Sequence, residues 1–286
     1  MRNTVVKTQS ANALRFCNIA ALEKQLLKLD QVECSVIHRF GPGIYIREVY
    51  LPAGALIVGH HHKREHTNVM LRGKLTMLNE NSSTFECVAP FMYVAKPGRK
   101  VAYVHEDVVW QNVYATTETN IETLEEMFLV KSDAWLADKK FRDAVSKLSY
   151  CADRADYQKF LFETGLSHDY VMSVSENKAD QIDVPFGGYK VKIGDSGIHG
   201  KGLFATSQIQ IDELIAPARI ANQRTFAGRF TNHALRPNAK TVLLNNGDID
   251  LVAACLIKGC YGGKDGEEIT VDYRQAIAQN RLSLGG

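Results

Sequence analysis

Apolar residues at Ile19, Leu22, Leu26 and Leu29 fall three, four and three apart on one helical face, so the chain opens on an amphipathic helix. The period then shortens. Apolar and β-branched runs follow at 35–38, 44–51, 55–58, 68–71, 74–78, 84–88, 91–95, 101–104 and 108–115. Turn signals separate them: Gly41-Pro42-Gly43, Pro52-Ala53-Gly54, Arg72-Gly73, Asn79 to Ser83 and Pro97-Gly98. Many short strands at this spacing predict an all-β sandwich or barrel. Helical texture comes next, with Ala137, Phe141, Val145 and Leu148 on one stripe after Asp133 as N-cap. Tyr157, Phe160 and Leu161 then precede a stop at Gly165, and Ser173 to Asp183 is polar, reading as a linker or loop. From Gly187 the strand texture returns and continues to Tyr273. The expected fold class is mainly β with an α linker region. Its expected divisions are a helical segment 1–34, a β-barrel 35–130, a helical connector and linker 131–186, a second β domain 187–274 and a short tail 275–286.

Composition narrows the function classes. At 286 residues the chain is long for one core and comfortable for two domains. A formal charge of +2 gives no field that argues for nucleic acid or an acidic membrane. Arg2 and Lys7 are not followed by an apolar targeting segment, and no run approaches the ~20 apolar residues of a membrane span, so a cytoplasmic protein is expected. The six cysteines are scattered, with no Cys-x-x-Cys pair, and read as reduced thiols.

Histidines concentrate in the first β region. Gly54, five residues, His60-His61-His62, His66 and then Gly73 resemble the first motif of the cupin family, Gly-x5-His-x-His-x3/4-Glu-x6-Gly. The resemblance covers roughly residues 35–130 and implies a jelly-roll barrel. His66 stands where the family has glutamate, and Glu65 would point to the opposite side of an extended chain. After Pro97-Gly98 the second-motif histidine position holds Lys100 or Val101, with His105 later. Two readings stay open: His60, His62 and His66 bind a divalent metal, or the barrel keeps its fold without one.

Three further segments occur in order within about 75 residues: Ile198-His199-Gly200-Lys201-Gly202-Leu203-Phe204-Ala205, Arg229-Phe-Thr-Asn-His-Ala-Leu-Arg-Pro-Asn238, and Gly266-Glu-Glu-Ile-Thr-Val-Asp-Tyr273. Together they resemble the SET domain of S-adenosylmethionine-dependent protein-lysine methyltransferases. The resemblance implies a SET-type β-fold in which the Asn-His and tyrosine segments cross in a knot-like active site. It implies that Gly200, Lys201 and Gly202 contact the methyl donor by backbone, that Asn232 and His233 hold its amino acid and adenine ends, and that Tyr273 is the catalytic channel tyrosine. Ala234 departs from the family's serine, and no cysteine-rich tail follows Tyr273, so a lid must come from the linker, the tail, the other domain or another subunit.

The leading expectation is a protein-lysine N-methyltransferase acting on a protein substrate with a target lysine, the cupin-like domain serving as an oligomerisation or target-binding platform in a homodimer or higher oligomer. The architecture resembles tailed-bacteriophage proteins, which would place it in the host cytoplasm. The alternatives are a non-catalytic virion-associated or assembly protein, and a metal-dependent cupin enzyme.

Overall fold

The computed structural model describes residues 4–7, 18–78, 84–260 and 266–283. The turn read at Asn79 to Ser83, Cys17 and most of the loop before Gly266 lie outside them, as do the side chains of Val145 and Leu148. Two compact units divide the chain, one of Met1–Arg142, Phe186–Lys190 and Gly259–Gly266, the other of Asp143–Pro185, Val191–Lys258 and Glu267–Gly286.

In the first unit the elements are β1 (Thr4–Lys7), α1 (Ile19–Leu26), β2 (Val36–Gly41), β3 (Ile44–Leu51), β4 (Ala55–Val58), β5 (His61–His62), β6 (His66–Leu78), β7 (Thr84–Val88), β8 (Phe91–Ala95), β9 (Val101–Ala115), α2 (Ile121–Phe128), β10 (Leu129–Val130) and the start of α3 (Asp133–Ser149), with β11 (Gly187–Tyr189) returning to pair with β2. All pairings of the large sheet are antiparallel, and β9 joins β3, β4 and β6. Alternate residues of β2 and β3 are buried, as a one-sided strand requires. The inward side chains of β3, β6 and β9, including Val49, Leu75 and Trp110, form the core. Leu22 and Leu26 of α1 cap one end against Leu56 and Val101. These pairings build the antiparallel β unit expected over residues 35–130.

Two expectations are corrected here. Arg72-Gly73 is no turn: β6 and β9 each run straight through the breaks read at 72–73 and 105–107. Register shifts between Met70 and Leu75 mark a bulge instead, with Gly73 at φ +93, where a Cβ would collide with the Asp107 carbonyl. Second, α1 ends at Leu26, and Leu29 lies beyond it, exposed.

The second unit takes the rest of α3, then α4 (Cys151–Thr164), α5 (His168–Glu176), β12 (Val191–Asp195), β13 (Lys201–Ala205), β14 (Leu214–Ile220), β15 (Gln223–Arg224), α6 (Phe226–Phe230), β16 (Asn232–His233), β17 (Ala239–Leu243), β18 (Ile249–Ala253), β19 (Glu268–Val271) and α7 (Tyr273–Ser283). Its strands make two four-stranded sheets, β12-β13-β19-β16 and β15-β14-β18-β17. The stripe read through Ala137 and Phe141 is not the buried face of α3, since both are exposed and Trp135 is buried, and Ser132 rather than Asp133 caps the helix through the Trp135 N–H. The segment read as a loop from Ser173 is helical to Glu176, with Ser167 as N-cap and the Ser173 and Ser175 hydroxyls donating back to the Tyr170 and Met172 carbonyls. Strand texture does not run unbroken to Tyr273, and the tail begins as α7. No helix among the described residues is long and apolar enough to cross a membrane.

Candidate functional site

The parallel pairing of β16 with β19, Asn232 opposite Thr270 and His233 opposite Val271, brings two of the three C-terminal motifs side by side. The third joins them through β13, which pairs with β19 at Leu203 and Phe204. On β19, between these neighbours, lies the buried Glu268 carboxylate, which accepts from Ser196 Oγ at 2.7 and 2.9 Å and from Asn232 Nδ2 at 2.8 Å. Ser196 Oγ in turn accepts from the Ile198 and His199 N–H groups, and Asn232 Nδ2 also reaches the His199 and Lys201 carbonyls. One carboxylate thus shapes the whole 196–202 turn. Burial raises the Glu268 carboxyl above its ordinary range against the pull of these donors. Gly200 is needed for its φ of +51, whereas Gly202 is needed because a side chain there would run into the Glu268 carboxylate and Ser196.

His233 is buried and held at both ring nitrogens. Its Nδ1 lies 3.1 Å from the donating N–H of Tyr273, so Nδ1 accepts and Nε2 donates to Asp156 Oδ2 at 2.9 Å. Arg274 bonds the same Asp156 oxygen at 3.0 Å and Glu163 at 2.7 Å, which fastens α4 to the start of α7. The Tyr273 hydroxyl donates to the Thr231 carbonyl at 3.2 Å, and its ring is edge-on to Phe160 and Tyr157. Burial lifts this hydroxyl above its ordinary pKa, so it stays protonated at neutral pH.

These residues surround a cavity of about 370 Å³. Gly200, Lys201, Asn232, His233 and Tyr273 line it, and Gly202 does not. Helices α4 and α5 supply another wall through Arg154, Tyr157, His168 and Met172. Tyr273 also borders a second cavity of about 80 Å³ whose wall includes Ala218, Ala227, Gly228 and Ala276. The tyrosine therefore stands on both spaces.

In the barrel, His60, His62 and His66 do line one cavity, but their nitrogens do not converge. His62 and His66 stack with centroids 4.2 Å apart, His62 Nδ1 engages the Tyr114 hydroxyl, and His66 Nδ1 the Arg64 carbonyl. His60 lies edge-on to Trp135. Among the described residues no group of three His, Cys, Asp or Glu side chains is arranged to hold an ion. Burial lowers His60 to about 3 and His62 to about 2, so both rings are neutral at pH 7.

The sequence motifs contain Asn238 and Glu268 without marking either as a site residue, and they do not reach Asp156 or Ser196. Asn238 clamps β19 through its Thr270 N–H and Glu268 carbonyl. The Pro237-Asn238 turn signal was the available hint of Asn238; Asp156 carries no local signal, since its partners lie 77 and 118 residues away.

No protein-family model matches the chain, and no curated protein matches it. Among solved structures it is similar to ectoine synthase from P. lautus (12% identity, 37% of this chain and 83% of that one, TM-score 0.29). An RmlC-like cupin family protein with a double-stranded β-helix fold from Methanocaldococcus jannaschii matches at 13% identity, 29% of this chain and 80% of that one, TM-score 0.26. A cupin-2 domain containing protein from Shewanella frigidimarina matches at 11% identity, 37% and 99%, TM-score 0.25. The fold of the first unit rests on its own strand pairing.

Proposed function

We propose that the second unit is an S-adenosylmethionine-dependent protein-lysine N-methyltransferase. One observation carries this reading: three motif segments separated by up to 73 positions, from Gly200 to Tyr273, wall a single cavity of about 370 Å³, within the size range of small-molecule sites. Its lining suits the donor's chemistry. Arg154 and Lys201 offer positive charge to a carboxylate, Glu176 offers negative charge to an ammonium, and Tyr157 and Phe230 offer aromatic surface to a base. The donor, when bound, supplies a sulfonium methyl for in-line displacement.

The chain's own groups would do the rest. An attacking lysine must be neutral although its ordinary pKa is about 10.4. A small cavity whose wall includes Arg219 and Arg224 beside Ala218, Ala227 and Gly228 disfavours the charged ammonium of an entering lysine. Tyr273, on both cavities, orients the amine by its hydroxyl and ring and need not act as a base, since its proton is held. His233 positions Tyr273 by accepting from its N–H. The first unit would serve as an oligomerisation or target-binding platform.

The test is transfer of labelled methyl from S-adenosylmethionine to a cell protein extract, with the modified residues located by mass spectrometry. Label on lysine that disappears in Tyr273→Phe, which keeps the ring, supports the reading. Absence of protein label with donor bound would move the second unit to a binding or assembly role.

A further inference from the structure

The barrel cavity holds a nucleophile that methyl transfer does not use, the Lys100 amine. The cavity measures about 90 Å³, and the half-buried Lys100 lines it together with Tyr93, His62, His66 and the apolar Leu75 and Met77. Among the described residues Lys100 forms no ion pair. Its Nζ lies 4.6 Å from the centre of the Tyr93 ring and donates to the Tyr93 hydroxyl at 2.6 Å. Burial disfavours the charged ammonium and lowers Lys100 from 10.5 to about 8. About a tenth of such an amine is free at pH 7, against well under about a thousandth for an ordinary lysine. The titratable groups nearest in its field supply no anion: burial raises Cys87 to about 11 and lifts Tyr93 above its ordinary range, so both stay protonated, and it lowers His62 and His66, so both rings are neutral. A desolvated amine captures carbonyl compounds, a reaction that needs no co-reactant and releases only water. A ~150 Å³ apolar cavity holds benzene, so this space accommodates about four non-hydrogen atoms.

We propose that Lys100 is the attachment site of a short aliphatic aldehyde, held as an imine in the barrel cavity with Tyr93 as proton relay and the alkyl chain against Leu75 and Met77. The Nζ lone pair forms the C–N bond as the carbonyl π pair moves to oxygen. The Tyr93 hydroxyl takes a proton from nitrogen and passes its own to that oxygen, giving a neutral carbinolamine. The nitrogen lone pair then expels the oxygen, which leaves as water with the second nitrogen proton, carried by the same relay. One aldehyde is consumed, one water is released, and Tyr93 ends as it began.

Full-length protein at pH 7 is treated with limiting propanal and sodium cyanoborohydride, which reduces the imine to a stable propylamine, and the label on each lysine is followed by peptide mass spectrometry. Lys100 is expected to be labelled at least about tenfold faster than the exposed Lys178. The larger cyclohexanecarbaldehyde, which the cavity cannot hold, is expected to lose that preference. Tyr93→Phe, which keeps the ring, is expected to slow labelling of Lys100 at least about tenfold and leave Lys178 unchanged. Labelling of Lys100 no faster than Lys178, the same preference with the larger aldehyde, or an undiminished rate in folded Tyr93→Phe would overturn the proposal. The wild-type comparison of the two aldehydes decides even if the variant fails to fold.

Discussion

At the scale of single residues, the second unit turns on two carboxylates. Burial would raise Asp156, but the hydrogen bonds from Arg274 and His233 outweigh it and hold the carboxyl below its usual range. A group whose folded pKa is depressed contributes stability above its unfolded value of about 3.9 and loses it as pH falls through the folded value. Asp156→Asn should therefore lower the thermal midpoint by a constant amount above about pH 5, with the difference closing in acid. A gap independent of pH, measured by circular dichroism from pH 7 downward, would contradict this. For Glu268 the contrast lies between two substitutions. Glu268→Ala leaves the Ser196 hydroxyl proton without its acceptor and removes one of three acceptors around Asn232 Nδ2, and should cost about 2–3 kcal/mol in denaturant unfolding, while Glu268→Gln keeps an acceptor and should stay within about 1 kcal/mol of wild type. Asn232, His233 and Tyr273 were legible in the chain because they sit in compact, ordered motifs. Asp156 and the Ser196–Glu268 link were not, because a tertiary hydrogen bond across 72 or more residues leaves no periodic trace.

Among the elements, the apolar and β-branched runs located β3, β4, β7 and β8 at their observed ends. They failed where a strand carries an irregularity, because Arg72-Gly73 has the composition of a turn and the geometry of a bulge. Gly73→Ala must adopt φ near +93 against the Asp107 carbonyl, and should cost at least about 2 kcal/mol of stability. A cost below about 0.5 kcal/mol in denaturant unfolding would show that the bulge relaxes. Helix α5 escaped sequence reasoning for the opposite reason: it buries none of its residues, so no apolar stripe announces it. That same helix lines the larger cavity through His168 and Met172, so an element invisible to hydrophobic patterning forms part of the candidate site.

For the whole molecule, a barrel unit and a second β unit each carry a cavity, and the two chemistries differ. The barrel cavity is lined by Arg47, Lys100 and histidines beside apolar side chains, and the cavity of the second unit by both signs of charge beside aromatic rings. An oligomer remains the expectation for the intact chain, and sedimentation at micromolar concentration should show a species at or above twice 31.9 kDa; a 31.9 kDa species alone would contradict it. The central claim is that the larger cavity receives a methyl donor. Calorimetric titration of cofactor-stripped protein with S-adenosylmethionine tests it most directly, with Asn232→Ala as the comparison, since that change removes the amide that holds the 199–201 carbonyls. The account predicts saturable binding near one donor per chain, lost or at least about tenfold weaker in the variant. No binding to the folded wild-type protein at millimolar donor would contradict it.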